Sequence, residues 1–251
     1  MTNIIITGCS GKMGKSLLDA AAARTDCRIV AGVDPAAPEN PGYVYAPGFP
    51  QLQVEADVIV DFSHPSVLTS MLSYAKAHLL PVVICTTGFS SEQLAEIEEA
   101  SKEIAIFRSG NMSLGVNLIL ELAKKAASVL VDGFDIEIIE QHHNQKIDAP
   151  SGTALMIADA VSQVKTDAEY VYDRHAYRKK RDKREIGIHS IRGGNIVGEH
   201  EIIFAGQDEV VTITHSARSK TVFAVGALNA AVFMKGKQPG MYNMSDLLAE
   251  K

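Results

Sequence analysis

The chain has 251 residues, 46% hydrophobic and 22% charged, with a formal net charge of −6 from 24 basic and 30 acidic side chains. That is the balance of a globular protein with one large or two modest cores. It argues against a broad nucleic-acid footprint, which needs a cationic face, and no apolar run reaches the ~18 residues that span a bilayer.

In chain order, residues 3–7 form an apolar, strand-like run and 12–23 read as a helix. Residues 28–34 and 56–62 read as strands, 66–78 as a helix and 81–85 as a strand. Ser90-Ser91-Glu92-Gln93 has the form of a capping box and opens a helix to about residue 102. A strand at 104–107 follows. Strands alternating with helices of this length predict an α/β fold, a Rossmann-like doubly wound parallel sheet. After about Gly115 the pattern changes. A helix is expected at 116–130, a strand at 135–142 and a helix at 153–163. Three closely spaced strands follow at 187–191, 196–204 and 209–215, then a helix at 220–234. Arg192-Gly193-Gly194-Asn195 predicts a hairpin turn between the first two of those strands. The expectation is a second, α+β domain at 114–218 with a mixed or antiparallel sheet. A dinucleotide-binding domain would comprise 1–113 and 219–251.

The first strand runs into Gly8-Cys9-Ser10-Gly11-Lys12-Met13-Gly14 and then into a helix. N–H groups at a helix N-terminus attract phosphate, and glycine lets the backbone approach it. The G-x-x-G-x-x-G spacing is a weak signal alone; its place between strand and helix strengthens it. So does Asp34, which ends the second strand where a ribose-binding carboxylate belongs. A carboxylate accepts hydrogen bonds from a 2′-hydroxyl and repels a 2′-phosphate. Pro35 follows instead of a neutralising arginine, and Lys12 is the nearest cation. NADH is therefore the expected cofactor, with NADPH tolerated. Cys85, Thr86 and Thr87 follow the fourth strand, and Ser109, Gly110, Asn111 and Met112 the fifth. Ligands of open α/β sheets bind at such carboxyl ends, which places both segments beside the nicotinamide.

The densest cluster of functional groups runs from Glu140 through His142, His143, Lys146 and Asp148 to Ser151-Gly152-Thr153. Neighbours on a strand face opposite sides and no third soft ligand is close by, so no metal is expected. Hydride transfer to a conjugated imine leaves negative charge that an acid must quench, a role suited to histidine. Lys146 adds positive charge, and the helix N-terminus at Gly152 and Thr153 offers N–H groups to a carboxylate. The cluster fits a small dianion and a protonation step; the alternative is that these groups only cap a helix and satisfy one another. The basic run Arg178–Arg184 reads as a solvated loop or local anion attractor, with steering of an anionic ligand as the sharper alternative. Cys9, Cys27 and Cys85 lack metal-ligand spacing and suit a reducing compartment. With no basic segment or cleavage site ahead of the first strand, a cytoplasmic location is expected, with no membrane or nucleic-acid partner.

The run Glu140 to Ala154, of the form E-x-H-H-x-x-K-x-D-A-P-S-G-T-A, closely resembles the signature of the dihydrodipicolinate reductases, now called 4-hydroxy-tetrahydrodipicolinate reductases. The resemblance extends over the glycine loop, Asp61-Phe62-Ser63, Thr86-Thr87-Gly88, Asn111, the 113–117 segment and the 236–246 region. It implies NAD(P)H-dependent reduction of a cyclic imine dicarboxylate to tetrahydrodipicolinate in lysine and diaminopimelate synthesis. It further implies His142 as proton donor and acceptor, Lys146 as a second proton donor, and His143, Gly152 and Thr153 as substrate-carboxylate contacts. Gly8 to Met13, Asp34, Cys85 to Thr87 and Ser109 to Met112 match its cofactor segments, and a homotetramer built through the second domain's sheets is implied. Two departures stand out. Cys85 replaces a usual glycine, and Asp34-Pro35 replaces a frequent acidic-arginine pair, which weakens the case for NADPH. Two rivals are another nicotinamide-dependent reductase, such as an amino-acid dehydrogenase, and a non-catalytic redox sensor with a protein or DNA partner. The acidic charge and the His142/Lys146 pair argue against the sensor.

Overall fold

Ile4, Ile5 and Ile6 have no exposed surface and lie in an interior strand of the computed structural model, which describes residues 1–38, 42–172 and 174–250. The elements in order are β1 (Thr2–Thr7), α1 (Lys12–Ala22), β2 (Cys27–Val33), β3 (Val44–Ala46), β4 (Val58–Asp61), α2 (Leu68–His78), β5 (Val82–Ile84), α3 (Ser91–Ala100) and β6 (Ala105–Arg108). They continue with α4 (Leu114–Leu130), β7 (Asp135–His142), α5 (Gly152–Ser162), β8 (Glu169–Val171), β9 (Glu185–Arg192), β10 (Gly198–Ala205) and β11 (Val210–Ala217). The chain closes with α6 (Thr221–Met234), β12 (Gly240–Tyr242) and α7 (Met244–Ala249). Two compact units result, Met1–Ser113 with Thr221–Lys251 and Leu114–Lys220; Lys251 itself lies outside the described residues.

In the first unit seven parallel strands pair in the order β12-β6-β5-β4-β1-β2-β3. Ile5 joins the core formed with Leu68, Met71 and Leu72 of α2 and Ile97 of α3. Its neighbours Ile4 and Ile6 point the other way, towards the side on which α1 packs against α6. The capping box expected at Ser90 is present: Gln93 N donates to Ser90 Oγ, and Ser90 N to Gln93 Oε1. α6 carries small residues because the backbone comes close; a Cβ on Gly226 would stand 1.6 Å from Met112 O.

The second unit holds a mixed sheet in the order β11-β10-β7-β9-β8. β7 pairs parallel with β9 and antiparallel with β10. α4 and α5 cover one face, where Ile136, Ile138, Ile186, Ile188, Ile202 and Phe204 form the core. The two-residue period of β7 puts Glu140 on that same buried face.

The hairpin expected at 192–195 does not form. β7 lies between β9 and β10, so the 193–197 link arches over the end of β7. Gly193 N donates to His142 O (2.9 Å) and Asn144 N to Gly194 O (3.2 Å). The turn chemistry is present, with Gly194 at φ +49, but a turn cannot specify which strands are neighbours. The crossover through α5 lays β9 beside β7 and occupies the pairing edge a hairpin would have used.

Candidate active site

Within the first unit, Gly8 closes the turn after β1. Its N–H donates to Val33 O at the end of β2 (2.9 Å), and its φ of +75 disfavours any side chain. A Cβ there would stand 2.3 Å from Phe62 O, and one on Gly14 would stand 2.3 Å from Gly8 O. Gly11 is the N-cap of α1 and provides no side-chain cap, and the first turn holds no acidic residue, which leaves its N–H groups suited to an anion. Asp34 lies just past β2. Its carboxylate accepts from Ser10 N (3.1 Å) and Ala36 N (2.9 Å).

Two cavities flank this loop. One, of about 400 Å³, is lined by Gly8, Gly11, Asp34, Pro35, Phe62 and His64 among others. The second, of about 320 Å³, is lined by Met13, Phe62, Cys85, Thr87, Phe223 and the run Ser109 to Met112. The carboxyl-end rule thus brings together the segments the sequence singled out. Cys9 differs, since its side chain is buried, leaving the main chain to the loop; Lys12 is exposed on the first turn of α1. Thr86 is buried, and its Oγ1 accepts from Ser63 N (2.9 Å).

Phe62, His64 and Phe223 line these cavities without having been singled out as ligand contacts. The carboxyl-end rule that flagged Cys85 applies equally to the loop after β4. Behind that loop, Thr7 Oγ1 and Ser63 Oγ both donate to buried Asp61 at 2.5 Å and pin the chain where it leaves the sheet.

Within the second unit, the end of β7 carries a dense polar network. Glu140 has no exposed surface. Its Oε1 accepts from Arg192 Nη2 (2.7 Å) and Ser151 N (3.1 Å), and its Oε2 from Arg192 Nη1 (2.8 Å). Oε2 is also 2.6 Å from His142 Nδ1. Burial alone would push this carboxyl up; the hydrogen bonds from Arg192, Ser190 and His142 outweigh it and hold it at about 2. Burial pushes His142 below the usual imidazole range, against the pull of Glu140 and with help from the charges of Lys146 and Arg192. The ring nitrogen that faces the carboxylate is Nδ1.

The His142 ring meets the edge of His200 at 5.3 Å between centroids. Lys146 Nζ donates to Asp148 Oδ1 (2.8 Å). Ser151 caps α5 by accepting from Ala154 N, and Gly152 and Thr153 begin the helix. A Cβ on Gly152 would meet nothing within 4 Å, so the space before this turn is open. His143, the next residue after β7, is half-buried. Among the described residues no group of three or more His, Cys, Asp and Glu is arranged to hold a metal ion.

Arg192 and His200 escaped sequence reasoning as site residues, and Glu140 was noticed only as part of a motif. A buried carboxylate demands a cationic partner, but that partner is 52 residues away. The expectation of a solvated basic loop fails for Arg181. Its guanidinium donates to Glu137, Asp135 and the carbonyls of Ile136 and Glu185, clamping the loop onto the sheet.

Two family models cover nearly the whole chain: "Dihydrodipicolinate reductase, N-terminus" matches residues 2–112 and "Dihydrodipicolinate reductase, C-terminus" residues 115–248. A 4-hydroxy-tetrahydrodipicolinate reductase of Caldanaerobacter subterraneus subsp. tengcongensis is 53% identical over 249 residues, 99% of this chain and 98% of the relative. One of Clostridium novyi is 49% identical over 252 residues, covering all of both chains. Among solved structures, dipicolinate-bound dihydrodipicolinate reductase from Paenisporosarcina sp. TG-14 superposes with a TM-score of 0.79 at 24% identity, covering 97% of each chain. At that identity the likeness shows the fold.

Proposed function

The chain belongs to the dihydrodipicolinate reductase family, and we propose that it reduces 4-hydroxy-tetrahydrodipicolinate to tetrahydrodipicolinate in lysine and diaminopimelate synthesis. The observation that carries this reading is the buried Glu140–His142 pair, with Lys146 close enough to perturb its charge and the N-terminus of α5, capped by Ser151, beside it. A cyclic dicarboxylate needs a place for its carboxylates and a source of protons. His143, Gly152 and Thr153 are assigned to the carboxylates, since N–H groups at a helix start favour anions. His142 is assigned the main proton transfer. The free site holds it neutral; a dianion beside it favours the imidazolium, so the imidazole takes up a proton on binding and releases it to the product. Lys146 is a second donor and a fixed positive charge.

The first unit is read as the dinucleotide-binding domain and the second as the substrate domain. A nicotinamide cofactor supplies the hydride when bound. Gly8 to Met13 would hold its phosphates, Asp34 its adenosine ribose, and Cys85, Thr86, Thr87 and Ser109 to Met112 its nicotinamide half. The fit rests on Gly8 and Gly14, where any side chain would close the turn. NADH is the preferred cofactor in this reading and NADPH a usable one, because Asp34 is oriented by two backbone N–H groups and Pro35 brings no positive charge.

The protein is read as a cytoplasmic homotetramer assembled through the sheet of the second unit. The sheet face opposite α4 and α5 carries Ile139, Ile191, Ile203 and Val210, with Ile191 47% and Val210 61% exposed. No helix of the described residues is long and apolar enough to cross a membrane. A coupled assay with dihydrodipicolinate synthase tests the function. NADH oxidation that depends on the synthase product is expected; turnover of L-aspartate without it would replace the reading with an amino-acid dehydrogenase. Light scattering that gives the mass of one or two chains would overturn the tetramer.

A further inference from the structure

We propose that Glu140 is a positioning residue for this reaction, and that its carboxylate, locked by Arg192, holds His142 in the Nδ1–H tautomer so that Nε2 is the atom that takes up and delivers the transferred proton. The proposal rests on the reading of His142 as the proton carrier and names what makes it one.

On the buried face of β7 the residues run Ile136, Ile138, Glu140, His142. The third position is a core position by its neighbours, and a carboxylate there is strongly destabilising unless fully paired. It is fully paired. Arg192 meets it with both terminal nitrogens, Ser151 N donates to one oxygen, and His142 Nδ1 lies against the other. With Arg192 holding Glu140 ionised, its oxygens can only accept. Nδ1 must therefore donate, and the single proton of the neutral ring cannot also sit on Nε2.

The same carboxylate ties three elements together. Arg192 ends β9, and the link after it bonds back to His142 O. Arg192 also donates to Asp148 O in the segment that carries Lys146 (2.8 Å). Ser151 caps the helix assigned to the substrate carboxylates. Glu140 thus sets the spacing between the proton carrier and the anion cradle. Position 198, opposite His142 on β10, is a glycine, and a Cβ there would stand 3.1 Å from His142 Nε2. Nε2 is left uncrowded on that side. The charged and titratable groups around the ring are Glu140, Arg192, Lys146 and His200.

The test is a cycle of Glu140→Gln and His142→Gln in the full chain, with ¹⁵N-histidine NMR of the His142 ring. Glu140→Gln is expected to lower kcat by ~10²-fold while leaving KM for NADH within about twofold, since cofactor and ring contacts lie on separate units. Losing the anion lowers the imidazole's proton affinity further, so the alkaline limb of kcat moves to lower pH. In the His142→Gln background the second change should cost less than about twofold, because it acts only through the ring. The NMR signature should be Nδ1–H in the wild type and mixed in Glu140→Gln, with Glu140→Asp partly restoring both kcat and tautomer. An equal loss in both backgrounds, or an unchanged tautomer, overturns the proposal. Full activity of His142→Gln alone would instead overturn the proton-carrier reading, while the tautomer still decides whether Glu140 sets the ring. If Glu140→Gln does not fold, Glu140→Asp takes its place in the cycle: the shorter side chain keeps the charge and only part of the contact to Nδ1, so a smaller loss of kcat is expected, again only where His142 is present.

Discussion

His200 Nε2 lies 3.2 Å from Ser151 Oγ, the hydroxyl that caps α5, and the ring is 5% exposed. Burial pushes this imidazole down to about 4, and the neighbouring His142 and His215 push the same way. The unfolded chain therefore binds a proton near pH 6.5 that the folded chain refuses until about pH 4. Stability is whole above pH 6.5 and falls between 6.5 and 4, by on the order of 3 kcal/mol from this residue. Thermal melts at pH 7, 5.5 and 4.5 should show that decline. His200→Gln should make it shallower, leaving the part that comes from His142 and His215, whose imidazoles burial also lowers; an identical slope would remove His200 as the cause.

Replacing Gly14 with alanine forces a methyl to 2.3 Å from Gly8 O. The loop must shift, so NADH affinity should fall at least ~10-fold, as read by nucleotide fluorescence titration. Gly152→Ala makes the opposite contrast. It meets nothing within 4 Å, so the melting temperature should hold or rise slightly. The methyl would nonetheless crowd the proposed carboxylate cradle and raise KM for the cyclic substrate. An unchanged KM would move the cradle elsewhere.

Asp34→Ser removes the charge that repels a 2′-phosphate while keeping a short acceptor near Ser10 N and Ala36 N. The ratio of kcat/KM for NADPH to that for NADH should rise by ~10-fold or more, equivalent to about 1.4 kcal/mol. A ratio that stays put would show that another group reads the ribose.

Lys146→Met should lower kcat by ~10² through loss of a proton donor and of positive charge beside the substrate. Its partner Asp148 is largely exposed, and an exposed pair contributes little. Asp148→Asn should therefore leave kcat within about threefold. A loss as large as that of Lys146→Met would mean that the pair, rather than the ammonium, is the working unit.

Local pattern carried much of this reading. The alternation of apolar strands and helices made the parallel sheet legible, and Ser90 with Gln93 marked a helix start that the structure contains. The three-residue strands β3, β8 and β12 were not legible, because three residues are too few to show a period; β5, equally short, was read at 81–85 because it lies within a longer apolar run. The hairpin at 192–195 misled for a different reason: glycine chemistry reports the shape of a turn and not the strand it runs beside.

What the sequence determined by itself is the set of local instructions. It set the glycine turn after β1, the acidic residue after β2 and the tight run from Glu140 to Thr153, each encoded within a few consecutive residues. Only the tertiary structure decided that β7 separates β9 from β10 and that Arg192 reaches Glu140 across 52 positions. It alone turned a buried glutamate into an anion held at about 2 beside a neutral histidine. The reason is physical: the charge state of a buried group depends on what desolvates and pairs with it, and those neighbours come from distant parts of the chain.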